Sequence, residues 1–182
     1  MFNKRAAHRK FKADEIIQTL ALKPGQVIAD IGSGGGDFSF RFAQAVGSTG
    51  QVYAVDTNQE FLDFVKQQAI EQGLSNVITL CTSSEQPDLP HGLFDMVFLR
   101  NVTHHLPNRV DYFRRLKEML RPRGTLVIIE FDGRGGLFSF QRRLRHYIPY
   151  EVLLEETKQA GYVLQNSYDF LSEQSLMIFF VE

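Results

Sequence analysis

The chain has 182 residues and a net charge of −1, and its 43% hydrophobic and 23% charged content is typical of soluble globular proteins. We expect a single domain over residues 1–182, long enough to bury a core without a structural metal or a disulfide. The one cysteine, Cys81, excludes an internal disulfide and a cysteine-based zinc site. No apolar run is long enough for a membrane span and the N-terminus lacks the apolar region of a signal peptide, so we expect a cytoplasmic protein.

Two segments are strongly basic. Residues 1–12 hold five Lys or Arg and residues 134–146 hold four, with no Asp or Glu in either. Such asymmetry can indicate contact with an anionic substrate, a membrane surface or nucleic acid. Short basic clusters are also common on solvated helix faces, and this interpretation stays open.

In chain order, short apolar runs rich in β-branched residues alternate with stretches of helical periodicity. The predicted helices span residues 13–22, 38–46, 59–72, 108–120, 137–147 and 151–160, and the predicted strands span 26–31, 51–55, 77–81, 94–99, 125–130, 162–168 and 176–181. This alternation predicts a doubly wound α/β sheet with crossover helices. The last two strands are joined by a short connection, which predicts an antiparallel hairpin at the sheet edge.

A glycine-rich turn follows the first predicted strand and leads directly into a helix. Its spacing is Gly32-x-Gly34-x-Gly36, and Asp37 stands where a dinucleotide fingerprint needs glycine. A P-loop is excluded too, because no Gly-Lys-Ser/Thr follows. Glycines at the carboxyl end of a buried strand let the backbone approach a ligand, so we predict a binding site at this edge of the sheet.

Acidic residues surround the predicted site. Asp30 ends the first strand and Asp37 starts the helix, and two negative charges would repel a pyrophosphate but suit a ligand with an ammonium or sulfonium group. Asp56 ends the second strand, where an acidic side chain can accept hydrogen bonds from both hydroxyls of a ribose. These positions predict a cationic ligand that carries a ribose.

Several motifs occur together in order. They are Asp30-x-Gly32-x-Gly34-x-Gly36, Tyr53-Ala54-Val55-Asp56, Phe94-Asp95-Met96-Val97 with Thr103-His104-His105-Leu106, and Leu120-Arg121-Pro122-Arg123-Gly124-Thr125-Leu126. With this ordered set the chain resembles the class I S-adenosylmethionine (SAM)-dependent methyltransferases of the type 11 or UbiE-like group, over roughly residues 14–182. The resemblance implies a Rossmann-like, three-layer α/β/α fold whose seven strands have the order 3-2-1-4-5-7-6, with the last strand antiparallel.

The resemblance also implies a cofactor site. The glycine loop would cradle the methionine part of SAM, Asp56 would hold the ribose, and the connection that begins at Arg100 and Asn101 would contact the methionine part through main chain. Where many relatives carry an adenine-binding Asp, this chain has Ser83, whose hydroxyl could accept the same bond, while Ser84 could donate a backbone N–H. The complete set of predicted cofactor-binding residues is Asp30, Gly32, Ser33, Gly34, Gly36, Asp56, Thr57, Ser83, Ser84 and Arg100.

Methyl transfer from a sulfonium is an in-line displacement that depends mainly on positioning, and a general base is needed only for a protonated acceptor. His104 and His105, after the fourth strand, and His146, after the fifth, are the candidate catalytic residues. The alternative is that they only pack or cap their loops. No metal site is predicted.

Residues 133–150 are a candidate lid over the acceptor. Arg142 and Arg145 lie on neighbouring parts of one predicted helix face, where they could meet a carboxylate or phosphate of the acceptor. An ordinary amphipathic helix with these arginines in water fits the same pattern.

Two further predictions concern the core. Cys81 acts as a small buried hydrophobe. The phenylalanines of the second and third helices are also predicted to lie in the core, namely Phe38, Phe40, Phe42, Phe61 and Phe64.

The predicted function is transfer of the methyl group of SAM to an unidentified acceptor, leaving S-adenosylhomocysteine. A small metabolite is favoured as the acceptor because no nucleic-acid module or large specificity domain is present, although the basic N-terminus leaves protein or RNA open. Two other classes remain: a non-catalytic SAM-binding module, and a nicotinamide-dependent oxidoreductase, against which Asp30 and the glycine spacing both speak.

Overall fold

The computed structural model describes residues 12–83, 87–134 and 146–181. In these ranges seven strands form one sheet: β1 (Val27–Ile31), β2 (Gln51–Asp56), β3 (Val77–Cys81), β4 (Phe94–Arg100), β5 (Leu120–Phe131), β6 (Val163–Tyr168) and β7 (Gln174–Phe180). The helices of the described ranges are α1 (Ala13–Leu20), α2 (Asp37–Val46), α3 (Gln59–Glu71), α4 (Arg109–Met119) and α5 (Tyr150–Gln159), with a 3₁₀ helix at Thr103–His105.

The strand order is β3-β2-β1-β4-β5-β7-β6, which confirms the predicted topology. Strands β1 to β5 pair in parallel, and β7 is antiparallel to both β5 and β6. All five residues of β1 are buried, as expected for a continuous apolar run in the middle of a parallel sheet.

Helices cover both faces of the sheet and make the predicted three layers. On one face, Ile16 of α1 and Phe42 of α2 pack with Phe98 of β4, and α3 extends this layer over β2. On the other face, Phe113 of α4 and Leu153 of α5 belong to the second large apolar core. The carboxyl ends of the parallel strands are therefore held between two layers that fix the loops emerging from them.

Element boundaries differ most around β5. The structure starts this strand at Leu120, immediately after α4, rather than at Thr125, because Leu120 pairs with Phe94 before the register shifts. The predicted helix at 137–147 falls mostly outside the described residues, and His146 and Tyr147 are not helical.

Two side chains that were predicted to be buried are exposed. Phe64 is 48% exposed, because it lies on the outer side of α3. Cys81 is exposed as well, since β3 is an edge strand whose other residues are only partly buried.

Among the described residues no helix is long and apolar enough to cross a membrane. Of the basic segment 1–12, the first eleven residues lie outside the described ranges.

Candidate functional site

A cleft of about 610 Å³ opens at the carboxyl ends of β1, β2 and β4. Strand β1 has β2 on one side and β4 on the other, so the strand order reverses at β1. Open α/β sheets bind their ligands at such a point, outside the carboxyl ends of the strands. The volume falls within the roughly 300–1,000 Å³ range of small-molecule sites.

The glycine loop is fixed to the end of β2. The backbone N–H groups of Gly32 and Ser33 both donate to the carbonyl of Val55, at 2.8 and 3.0 Å. The N–H of Gly34 donates to the carboxylate of Asp56 at 2.9 Å. The loop and Asp56 therefore form one wall of the cleft, as the sequence predicted for two separate motifs.

The three motif glycines have different surroundings, although each has a positive φ. A Cβ at Gly34 would meet no atom within 4 Å, and this residue lines the cleft. Gly32 also lines the cleft but packs tightly against Val102, whereas Gly36 packs against Phe40 and Val65 and precedes α2. The cradle thus has open space beside its central glycine.

The Ser33 hydroxyl is buried and has no hydrogen-bond partner among the described residues. Because a buried polar atom without a partner is costly, this hydroxyl is available to a ligand in the cleft. Together with the space at Gly34 and the acidic lining, it makes the residues present a fit for the polar, cationic methionine part of SAM.

The cleft carries charges of both signs. Asp30 accepts a hydrogen bond from the hydroxyl of Ser39 at 2.5 Å, and burial raises its pKa to about 7, with the charge of Asp56 acting in the same direction. The Arg100 guanidinium lies 4.8 Å from the Phe38 ring centroid, and burial lowers its pKa to about 10. Asp30 is therefore only partly ionised at neutral pH, and the repulsion of phosphates expected from the sequence is weaker at this residue.

Each carboxylate oxygen of Asp56 accepts one backbone hydrogen bond. One oxygen accepts from Gly34, and the other accepts from the N–H of Asn58 at 3.0 Å. Since a carboxylate offers about four lone-pair sites, both oxygens can still accept a hydroxyl hydrogen. The carboxylate is therefore oriented by the backbone before any ligand binds.

The far end of the cleft is lined by Thr57, Phe61, Thr82 and Ser83. Phe61 was predicted to lie in the core, and this was wrong: the side chain is half-buried and forms part of the cleft wall. Ser84 lies outside the described residues. Arg100 and Asn101 line the opposite part of the cleft, next to Val102.

The three candidate histidines lie together at the mouth of the cleft. The ring centroid of His104 is 4.0 Å from that of His105 and 5.1 Å from that of His146, whose ring is stacked on it. His104 and His105 belong to the 3₁₀ helix after β4, and His146 follows β5. Residues predicted from two distant parts of the sequence are thus neighbours.

Glu130 holds this cluster and was not identified from the sequence. It is fully buried, and one oxygen accepts from the Thr103 hydroxyl at 2.5 Å and contacts Nδ1 of His104 at 3.0 Å. The other oxygen accepts from the N–H of Phe131 at 2.9 Å. The available signal was an acidic residue within the apolar run of β5, which the sequence interpretation treated as part of the strand.

The outer part of the cluster is open to water. His105 is exposed, and its pKa is lowered first by desolvation and then by the neighbouring charges of His104 and His146, with Glu130 opposing. His105 is therefore mainly neutral at pH 7.

In the described ranges no group of three or more His, Cys, Asp or Glu is arranged to hold a metal ion.

The described ends of the candidate lid meet beside the histidines. The N–H of Ile148 donates to the carbonyl of Phe131 at 2.8 Å, and Gly133 lies against the ring of Tyr147. The chain thus leaves β5 and returns to it at the mouth of the cleft. Arg142 and Arg145 lie outside the described residues.

The profile of the ubiE/COQ5 methyltransferase family matches residues 4–177 of this sequence. A curated relative from Paraburkholderia phymatum, a ubiquinone/menaquinone biosynthesis C-methyltransferase UbiE, is 34% identical over 129 residues. The aligned region covers 69% of this chain and 51% of the relative, so the chain spans about half the length of that protein.

Two solved structures show the same fold at low identity. A SAM-dependent methyltransferase from Aquifex aeolicus superimposes with a TM-score of 0.85 and 20% identity, covering 93% of this chain and 89% of that one. The [4+2]-cyclase SpnF superimposes with a TM-score of 0.78 and 17% identity, covering 93% and 80%. Because one of the two is a cyclase, the fold alone does not define the reaction.

Proposed function

The chain belongs to the ubiE/COQ5 methyltransferase family, within the class I SAM-dependent group, and on this premise we propose that it transfers the methyl group of SAM to a small-molecule acceptor. SAM, when bound, supplies a methyl group already activated by the sulfonium. Gly34 and Ser33 would hold its methionine part, and Asp56 its ribose.

The observation that carries this proposal is the cleft itself, which joins the glycine loop and Asp56 to the histidine cluster in one volume. A donor held at the loop and an acceptor held at the histidines would face each other across this cleft. Such positioning is the main requirement of a displacement on an activated methyl group.

For the acceptor, we propose a quinol-type ring. The support is the curated relative, which is named as a C-methyltransferase of ubiquinone and menaquinone biosynthesis. Apolar and aromatic side chains near the histidines, Leu106, Tyr112 and Phe131, supply the kind of surface that would contact an aromatic ring.

Binding and turnover test the proposal separately. A thermal-shift comparison should show stabilisation by SAM and S-adenosylhomocysteine and none by NAD, with about 2.7 kcal/mol gained at a ligand concentration of 100 Kd. Stabilisation by NAD instead would favour the oxidoreductase alternative and defeat the proposal.

Turnover is then measured with SAM labelled in the methyl group and a panel of hydroquinones, each paired with its oxidised quinone. The expected result is one labelled methyl in a hydroquinone product, detected by mass spectrometry. Tight SAM binding without transfer to any member of the panel would mean that the quinol proposal is wrong and would favour a binding module.

A further inference from the structure

We propose that Glu130 is a positioning residue that holds His104 as the base for an acceptor carrying a hydroxyl group. This inference rests on the proposed function and deepens it, because it specifies the acidic proton that the acceptor must have. It starts from the buried carboxylate of Glu130, which the cofactor cradle does not use.

A fully buried carboxylate is costly unless donors surround it. Glu130 has such donors, and three of its contacts come from the 3₁₀ helix: the Thr103 hydroxyl, Nδ1 of His104 at 3.0 Å and the backbone N–H of His104 at 3.3 Å. One oxygen therefore fixes both the ring and the backbone of the same histidine. This arrangement orients a side chain that lines the cleft.

The contact also bears on which ring nitrogen carries the hydrogen. Toward an ionised carboxylate, which only accepts hydrogen bonds, Nδ1 of His104 is the donor, and this is the tautomer that the proposal assigns. In the neutral imidazole, Nε2 is then left with the lone pair that can take a proton. A carboxylate that fixes the tautomer and stabilises the imidazolium is the arrangement that makes a histidine an effective base in hydrolases.

The step needs little more than this base. The acceptor O–H bond breaks, its electron pair stays on oxygen, and the proton goes to Nε2 of His104. The negative charge of Glu130 stabilises the positive charge that forms on the ring. As oxygen or a conjugated ring carbon would take the methyl group, the methyl–sulfur bond would break and its electron pair would stay on sulfur. In carbon methylation the ring C–H proton would then be lost, its electron pair would restore the aromatic ring, and the oxygen would be protonated again. In either case the acceptor loses one net proton for each methyl gained, and that proton leaves to water on the exposed side of the cluster.

The titratable groups around His104 come from several elements. Glu130 of β5 favours the imidazolium, whereas His105 of the 3₁₀ helix and His146 after β5 oppose it whenever they are themselves protonated. Tyr112 of α4 lines the same cleft, and burial raises its pKa, so it stays neutral. Glu130 is therefore the group in this set that supports a proton on His104.

The first test needs neither donor nor acceptor. Long-range ¹H–¹⁵N NMR of the unliganded protein distinguishes the two neutral tautomers, with the His104 signal assigned by its loss in His104→Asn. We expect the Nδ1–H form in the wild type and a mixture or the Nε2–H form in Glu130→Gln. The matched control is Glu156→Gln, which removes a carboxylate paired with Arg109 outside the cleft and should leave the His104 tautomer unchanged.

The second test is the pH profile of kcat with a hydroquinone acceptor. In Glu130→Gln kcat should be lower than in the wild type, and it should keep rising with pH up to about pH 10, where a phenol ionises by itself. SAM affinity should stay unchanged, since Glu130 is not among the residues that line the cleft.

The outcomes separate the two proposals. An Nε2–H tautomer of His104 in the wild type, a result that does not depend on the folding of Glu130→Gln, would overturn the role of Glu130 whatever the activity. An unchanged kcat profile in Glu130→Gln would overturn it as well. Absence of SAM binding would instead defeat the proposed function, while the tautomer result would stand on its own.

Discussion

At the scale of single atoms, the carboxylate of Asp56 has two roles: it holds the glycine loop, and it is the predicted acceptor for a ligand hydroxyl. It accepts the N–H of Gly34 from the glycine loop, and Asp56 also lines the cleft. A ligand hydroxyl bound there would be held by an acceptor whose position is already set. Little orientational freedom would then be lost on binding.

Replacing Asp56 by Ala should weaken SAM binding by about 1.5–3 kcal/mol, since hydrogen bonds to a charged group would be lost. Titration calorimetry measures this change. Asp63→Ala is the matched control, because Asp63 is an exposed carboxylate on α3 that does not line the cleft. An unchanged dissociation constant in Asp56→Ala would rule out the ribose assignment.

Gly34 offers a similarly matched experiment. Both Gly34 and Gly47 have positive φ and no atom within 4 Å of an added Cβ, but only Gly34 lines the cleft. Substitution by Ala should destabilise both proteins through backbone strain, by about 1–2 kcal/mol at Gly34. The cost at Gly47 should be up to about 3 kcal/mol, because its φ of 66° and ψ of −175° lie in a region that only glycine readily adopts. SAM affinity should fall about tenfold or more in Gly34→Ala alone, measured by calorimetry. Equal affinities in the two variants would mean that the ligand does not approach this glycine.

At the scale of elements, the strand ends determine the site. Strand β4 leads into the 3₁₀ helix that carries His104, and β5 carries Glu130 beside it. Because β4 and β5 pair in parallel, both ends arrive at the same edge of the sheet. The parallel pairing of β4 with β5 thus brings His104 and Glu130 together.

The segment between β5 and α5 remains a proposed lid over the acceptor. Its support is that Gly133 and Tyr147 meet and that His146 lines the cleft. Replacing both Arg142 and Arg145 by Ala should raise the KM for an anionic acceptor or lower kcat/KM, with SAM affinity unchanged. Steady-state kinetics with a charged and an uncharged acceptor measures the effect. An equal effect on both acceptors, or none on either, would mean that these arginines do not bind the anion.

The sequence was sufficient for the elements that follow simple rules. Buried strands such as β1 are continuous apolar runs, and the glycine turn marks the ligand edge. Periodicity could not distinguish an edge strand from a central one, so the exposure of Cys81 was missed. It also could not show that Phe61 faces the cleft while Phe64 faces water, because this depends on where α3 meets the sheet. Glu130 was missed for the same reason, since its partners come from another element.

At the scale of the whole molecule, Asp30 links stability to pH. Its pKa in the folded protein is about 7, above the ordinary value of 3.8, so the native state binds the proton more tightly than the unfolded state does. The free energy of unfolding should therefore fall as pH rises from about 4 to about 7, by up to roughly 1 kcal/mol per pH unit.

Asp30→Asn should remove this dependence, because the amide does not ionise. Its stability relative to the wild type should increase between pH 5 and pH 8, measured by urea unfolding of both proteins at each pH. The comparison cancels the titration of all other groups. Parallel pH curves for the two proteins would mean that Asp30 ionises normally in the fold.

The central place of β1 has a consequence for the order of folding. One edge of β1 pairs with β2, which follows soon in the chain, but the other edge pairs with β4, where Ile28 aligns with Met96. As the chain emerges during synthesis, an apolar strand edge therefore stays open until β4 has been made, which exposes the nascent protein to aggregation and to chaperones. Since the cleft needs the ends of β1, β2 and β4 together, ligand binding can begin only after this pairing, and it reports that β4 has joined the sheet.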